Sequence, residues 1–266
     1  MPAMPSPIAE KSARFRSLHA GPRAFVIANA FDAGSAALLT QLGFAALATS
    51  SGAAAGVLGR KDGQLSRDEA LAHAAAIAAA TELPVSADLE NGFGDSPDDV
   101  AETVRRAGAT GIVGASIEDH SGEKGTPLYR IDLSAARVAA AVRAARSLPF
   151  AGFAITARAE NFFRGYPDLA DTIARLKAYE AAGADVLFAP ALPDLDAVRA
   201  VCAAVTRPVN FMVGMKGKSW DLATLEAAGV RRISLATSLW RAAMTGVRNA
   251  AEEIRKSGTF GYVERL

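Results

Sequence analysis

The stretch PVSADLENGFGD (84–95) places Asp88 and Glu90 two residues apart at the end of a strand-like run, just before a Gly-x-Gly turn. Alternate residues of a strand share a face, so the two carboxylates are expected side by side. Like charges that close repel, more so as they are buried, and a metal ion, a shared proton or full solvation would offset them. Other apolar runs also end in chemically capable residues. Asn29-Ala30-Phe31-Asp32 closes the first, Thr49-Ser50-Ser51-Gly52 the second, Glu118-Asp119 the fourth and Arg158 the fifth. The sixth ends in Phe188-Ala189-Pro190, the seventh holds Asn210, and the eighth offers only Ser234 and Thr237. Asp88, Glu90 and Glu118 lie on neighbouring runs with no Cys or His partner. They form a hard-oxygen set that suits Mg²⁺ or Mn²⁺ and poorly suits zinc. Arg158 would grip a substrate anion through paired hydrogen bonds. Thr49, Ser50 and Ser51 offer hydroxyls and backbone N–H groups to a substrate carboxylate.

Plainer roles compete for the same residues. Asp88 and Glu90 would also serve as loop acids, Glu118-Asp119 as a solvated loop start, and Arg158 as a partner of Glu160 or Glu118. His19, His73 and His120 read as surface or packing histidines, and only His120 adjoins the proposed site. Cys202 falls inside a helical pattern and reads as an inert packed thiol.

The elements that must position these groups alternate along the chain. Eight strand-like runs occupy 24–29, 44–49, 84–88, 111–119, 152–158, 184–189, 208–212 and 231–236, and a helical pattern follows each. Gly43, Gly108, Gly183 and Gly229 stand where helices end before a strand. Ser66, Ser96, Asp132 and Asp194 stand where N-caps belong. Residues 7–20 form one extra helix ahead of the first strand. Eight βα units without a linker predict a single (β/α)8 TIM barrel over 1–266, with its active site at the C-terminal ends of the strands.

Composition narrows the function. The 266 residues are 50% apolar with a formal net charge of +1 and no charged block, so neither nucleic acid nor a membrane is an expected partner. The lone Cys202 allows no disulfide framework and suits a reducing interior. The N-terminus lacks an apolar signal core, and no apolar run reaches membrane length, so a soluble cytoplasmic protein is expected.

Four motifs together resemble the isocitrate lyase/phosphoenolpyruvate mutase superfamily over nearly the whole chain. They are TSSGAAAGVLGRKDGQ (49–64), DLENGFG (88–94), IED (117–119) and TAR (156–158). The resemblance implies a (β/α)8 barrel, usually a tetramer that exchanges its last helix between neighbours. It implies Mg²⁺ and small oxo- or hydroxy-carboxylates processed through an enolate. Asp88 would ligate the metal directly, with Asp62, Glu90 and Glu118 acting through water. Ser50 and Ser51 would bind the substrate carboxylate and Arg158 the oxo or leaving oxygen. By pattern alone Asp62 is only part of a charged loop.

The chain also departs from that family. Glu90 replaces the usual second Asp. The loop HSGEKGTPLYRID (120–132) lacks the lyases' Cys-Gly-His and the Asn of the phosphonate enzymes, and Pro190 stands where a Glu or His usually follows strand six. Gly122 and Gly125 suit a gate that excludes water. Lys124 or Tyr129 would supply a proton. The resulting expectation is an Mg²⁺-dependent lyase of a small (di)carboxylate, by C–C cleavage or decarboxylation. The catalytic groups would be Arg158, Glu118 and Lys124, with Thr49, Ser50, Ser51 and Asn210 on the substrate. P–C chemistry on a phosphonopyruvate-like substrate and a non-catalytic oxo-acid-binding barrel are the rivals. A homo-oligomer, tetramer or dimer, is expected, although the amphipathic segment 238–258 would pack on its own barrel as readily as on a neighbour's.

Overall fold

The eight apolar runs pair in parallel and in chain order, and the last pairs with the first, so the sheet closes into a (β/α)8 barrel. The computed structural model describes residues 6–265 apart from 124 and 126. The strands are β1 (Phe25–Asn29), β2 (Leu47–Ala48), β3 (Val85–Asp88), β4 (Gly114–Glu118), β5 (Ala154–Arg158), β6 (Val186–Phe188), β7 (Val209–Met212) and β8 (Arg232–Ser234). The helices are α1 (Pro7–Ala20), α2 (Ala33–Gln41), α3 (Ser51–Val57), α4 (Arg67–Ala79), α5 (Pro97–Ala107), α6 (Ile131–Arg146), α7 (Leu169–Ala181), α8 (Leu195–Ala204), α9 (Leu222–Ala227) and α10 (Ser238–Ser257). None is long and apolar enough to cross a membrane among the described residues.

Every predicted strand and the extra N-terminal helix are present. The segment 49–64, legible only as a motif, contains the short α3. Ser66, Ser96 and Asp194 cap their helices by accepting the N–H of Glu69, Asp99 and Ala197. Asp132 does not cap: α6 begins at Ile131, so Asp132 lies in its first turn, where the helix dipole favours an acid. Gly108 closes α5 as expected, but without the left-handed turn. Its φ of −59° is right-handed, and it needs to be small because a Cβ there would lie 2.4 Å from Leu148.

α1 closes the barrel mouth at the strand beginnings. Ser12 Oγ donates to the Ala151 carbonyl at 2.8 Å, ahead of β5, and Lys11 Nζ to the Thr81 carbonyl at 2.8 Å, ahead of β3. Phe15 is wholly buried against Gly114, where a Cβ would come 3.0 Å from its ring. His19 packs edge-on between Phe15 and Phe25, with centroids 4.7 and 5.1 Å away. Its Nδ1–H donates to the Phe15 carbonyl at 2.8 Å, and its Nε2 lies 3.4 Å from Arg232 Nη1. A guanidinium only donates, so Nε2 carries no proton. Burial, then the Arg232 charge, pushes the His19 pKa down from 6.5 to about 3.

That depression links His19 to stability. Above pH 6.5 the imidazole is neutral folded and unfolded. Below it the unfolded chain takes the proton and the folded chain resists, so stability falls as pH drops from 6.5 toward 3. At pH 5 the loss is about 1–2 kcal/mol after allowing for partial solvent screening. Urea midpoints at pH 7.5 and pH 5 should therefore converge in His19→Gln relative to the parent chain. An unchanged pH dependence would show that His19 is not the linked group.

Candidate active site

The C-terminal ends of the strands open into a cavity of about 390 Å³. Its wall includes Thr49, Ser50, Ser51, Asp62, Asp88, Glu90, Glu118, Arg158 and Asn210. Of the sequence-derived candidates two are missing from it: Tyr129, and Lys124, which lies outside the described residues.

Asp88 is the hub. Its Oδ2 accepts the Ser51 N–H and Oγ–H, each at 3.1 Å. Its Oδ1 accepts from Ser116 Oγ at 3.2 Å and from Arg158 Nη1 at 2.9 Å. Thr49 Oγ1 accepts the Asp88 N–H at 2.9 Å. The Ser51 donors expected to face a substrate carboxylate are thus turned to Asp88, while Ser50 Oγ caps α3 by accepting the Ala53 N–H.

The expected strand pairing of Asp88 with Glu90 is corrected. β3 stops at Asp88, Leu89 is fully buried and Glu90 takes a left-handed φ of 49°. The turn, rather than strand alternation, brings Glu90 back to the cavity. Arg137 of α6 holds that turn by donating to the carbonyls of Asn91, Gly94 and Asp95. Tyr129 belongs to the same brace. Its hydroxyl donates to Asp95 Oδ1 at 2.5 Å, and burial, then that bond, pushes its pKa up to about 12. It does not line the cavity, which removes it as the expected proton source.

Strand alternation divides the pair at the end of β4. Glu118 faces the cavity, whereas Asp119 points back into the helical layer, where it accepts from Tyr179 Oη at 2.5 Å and Arg175 Nη1 at 3.0 Å. Glu118 joins an alternating ring of charges. Arg158 Nη2 lies 3.0 Å from Glu118 Oε2 and 2.9 Å from Glu160 Oε1. Arg164 Nη2 lies 3.0 Å from Glu118 Oε1. Arg164 Nε is 3.2 Å from Glu160 Oε2, near as charge but misaligned for a hydrogen bond. Burial works against the charged form of Glu118, yet Arg158, His120 and Arg164 hold its pKa down to about 2. Arg158 therefore does what its plainer reading expected, and it also reaches Asp88.

The acids are incompletely offset. Burial, then the charges of Asp88, Asp62 and Glu118, pushes the Glu90 carboxyl up to about 8. Its buried Oε1 has no hydrogen-bond partner. Burial likewise raises Asp62, against a hydrogen bond from Ser51. Among the described residues no three Asp, Glu, His or Cys side chains stand ready-converged as a metal centre, since Arg158 lies among them. An orphaned carboxylate oxygen in an all-oxygen donor set nonetheless fits a hard divalent cation.

Two cavity residues, His120 and Arg164, and the buried Glu160 behind them escaped prediction in these roles. His120 has its Nδ1 3.6 Å from Glu118 Oε1. Arg164 comes from the loop after β5, and Glu160 was visible only as an ordinary ion-pair partner. The i,i+4 spacing of Glu160 and Arg164 was the one available signal. Elsewhere, His73 packs by hydrogen-bonding the Phe31 carbonyl at 2.9 Å, and burial pushes the Cys202 thiol up to about 11, consistent with an inert thiol.

A closed barrel that gathers acids, an arginine and hydroxyls at its strand ends defines an enzyme class acting on small anions. The chain belongs to the isocitrate lyase/phosphoenolpyruvate mutase superfamily, its residues 15–255 matching the phosphoenolpyruvate phosphomutase family. A Burkholderia cenocepacia J2315 protein provisionally described as a lyase/mutase has a crystal structure with a TM-score of 0.95 and 50% identity, over 98% of this chain and 93% of that one. An oxaloacetate decarboxylase of Chromohalobacter salexigens is 29% identical over 91% of this chain and 84% of its own. The structure of a phosphonopyruvate hydrolase complexed with oxalate and Mg²⁺ matches with a TM-score of 0.85 and 26% identity, over 93% of this chain and 88% of that one. The family consists of lyases and mutases, which sets aside the non-catalytic barrel.

Removing Arg158 should leave Asp88, Glu118 and Glu160 without their shared counter-charge. Arg158→Met is expected to lose about 3 kcal/mol in urea unfolding. A loss below about 1 kcal/mol would mean that the ring is not held by this residue.

Proposed function

We propose that this chain is an Mg²⁺-dependent lyase that breaks a C–C bond in a small 2-oxo or 2-hydroxy dicarboxylate, most simply by decarboxylation. The carrying observation is the Arg158 guanidinium fixed by Asp88, Glu118 and Glu160 beside the orphaned Glu90 Oε1. Asp88 would hold the metal directly, with Asp62, Glu90 and Glu118 around it. The bound cation supplies positive charge for oxyanion stabilisation. In decarboxylation the bond between C3 and its carboxylate breaks, and CO₂ leaves. The electron pair passes onto the 2-oxo oxygen, and a proton then returns to C3. Arg158 offsets the growing oxyanion charge through fixed N–H donors that need no reorganisation. Thr49, Ser50 and Ser51 border the carboxylate end. His120 beside Glu118 is the proton carrier this chain offers in place of a Cys, alongside Lys124. The likenesses to an oxaloacetate decarboxylase and to an enzyme holding oxalate and Mg²⁺ support this reading. The latter's description as a phosphonopyruvate hydrolase also keeps P–C cleavage as the second reading.

Calorimetry with Mg²⁺ should show oxalate binding, weakened at least about 100-fold in Asp88→Ala. Pyruvate release from oxaloacetate supports decarboxylation, release from phosphonopyruvate alone transfers the proposal to P–C chemistry, and a lack of Mg²⁺-dependent binding overturns both. His120→Ala should lower kcat about 100-fold while oxalate affinity stays within about twofold. Equal loss of both would make His120 a binding residue.

The single domain is also proposed to act as a cytoplasmic homo-oligomer, dimer or tetramer. α10 buries no residue, and Met244, Val247 and Ile254 are exposed on one side of it. Sedimentation should show an oligomer that Val247→Glu dissociates; a monomeric parent chain would remove this part of the proposal.

A further inference from the structure

Beneath Arg158 the barrel holds a second guanidinium that no acid answers. Arg232, the first residue of β8, is 5% exposed. Its Nε donates to Asn210 Oδ1 at 2.8 Å, its Nη2 to Thr156 Oγ1 at 3.0 Å, and its Nη1 lies 3.4 Å from His19 Nε2. All three acceptors are neutral, and among the described residues no carboxylate pairs with it. Burial alone pulls its pKa down to about 9. A guanidinium carries five N–H donors, so about two remain for another acceptor. A buried cation without a counter-ion is costly, and an anion of the right shape removes that cost.

The cavity leads from the acid site to this group, because Asp88, Arg158, Asn210, Arg232 and Ser234 all line it. Thr156 and Arg158 lie two residues apart on one face of β5, about 7 Å along the strand. Arg232, in contact with Thr156, is therefore one layer deeper than Arg158. Ser234 Oγ accepts the Asn210 Nδ2–H at 2.9 Å, which leaves its own proton available to donate.

We infer that the deep end of the cavity, formed by Arg232, Asn210 and Ser234, is a carboxylate subsite for the far end of an extended 2-oxo dicarboxylate. This rests on the proposed reading of the upper site, where the scissile C3 bond stays beside Arg158, and adds to it a further carboxylate beyond C3. Linear diacids serve here as binding probes for that carboxylate rather than as substrates of the decarboxylation. A diacid of about five or six carbons matches the layer spacing. The site would prefer it to a monoacid of equal length.

Calorimetry on the full chain with Mg²⁺ tests this using oxalate as a probe of the upper site alone. 2-Oxoglutarate and 2-oxoadipate are compared with 2-oxopentanoate and 2-oxohexanoate. At one chain length or both, the diacid should bind at least about tenfold tighter than its monoacid. Arg232→Met should abolish that preference and leave oxalate within about twofold. No diacid preference at either length overturns the inference whether or not the variant folds. So does a folded Arg232→Met that keeps the preference, or that loses only thermal stability, as a mere link between α1 and the barrel would. If oxalate itself fails to bind, the upper-site reading falls separately. The deep subsite is then judged by whether Mg²⁺-free glutarate binding differs between the parent chain and Arg232→Met.

Discussion

The structure of the site depends on a single buried guanidinium placed among too many carboxylates. Arg158 contacts Asp88, Glu118 and Glu160 at once, and Arg164 closes the ring from the outside. In a low-dielectric barrel mouth these acids could not all stay ionised without it. Even so, the ring leaves Asp62 and Glu90 poorly offset, an imbalance that a hard divalent cation would relieve.

The barrel supports this concentration of charge by layering it. α1 covers the strand beginnings with Phe15 and His19. Arg232 then sits between that plug and the cavity, hydrogen-bonded on three sides to neutral groups. Positive charge thus occurs at two depths, Arg158 among acids and Arg232 without one.

Departures from the family pattern concentrate where a proton must move. The loop after β4 offers no Cys, and Tyr129 is committed to bracing the DLENGFGD turn through Asp95. His120 remains at the cavity wall, beside a carboxylate whose charge is firmly held. A reaction with few proton transfers suits such a site better than one that needs a dedicated acid and base on opposite faces.

The architecture was legible in the residues themselves. Periods of two and of 3.6, capping residues such as Ser66 and Ser96, and eight βα units determine the barrel, and the barrel rule then picks out strand ends. Asp88, Glu118 and Arg158 followed directly. Glu90 reached the cavity for a different reason than alternation suggested, because a left-handed turn re-aims it. Asp132 kept its neighbourhood but not its expected capping role, since a helix start can shift by a residue or two without changing the pattern. What tertiary structure alone decided is which charges meet. Glu160 and Arg164 come from the loop after β5 and Arg232 from β8, and each looks like an ordinary surface charge in one dimension. Sequence determines side-chain chemistry and strand order, whereas partnership between distant charges depends on barrel closure and on which of them burial strips of water.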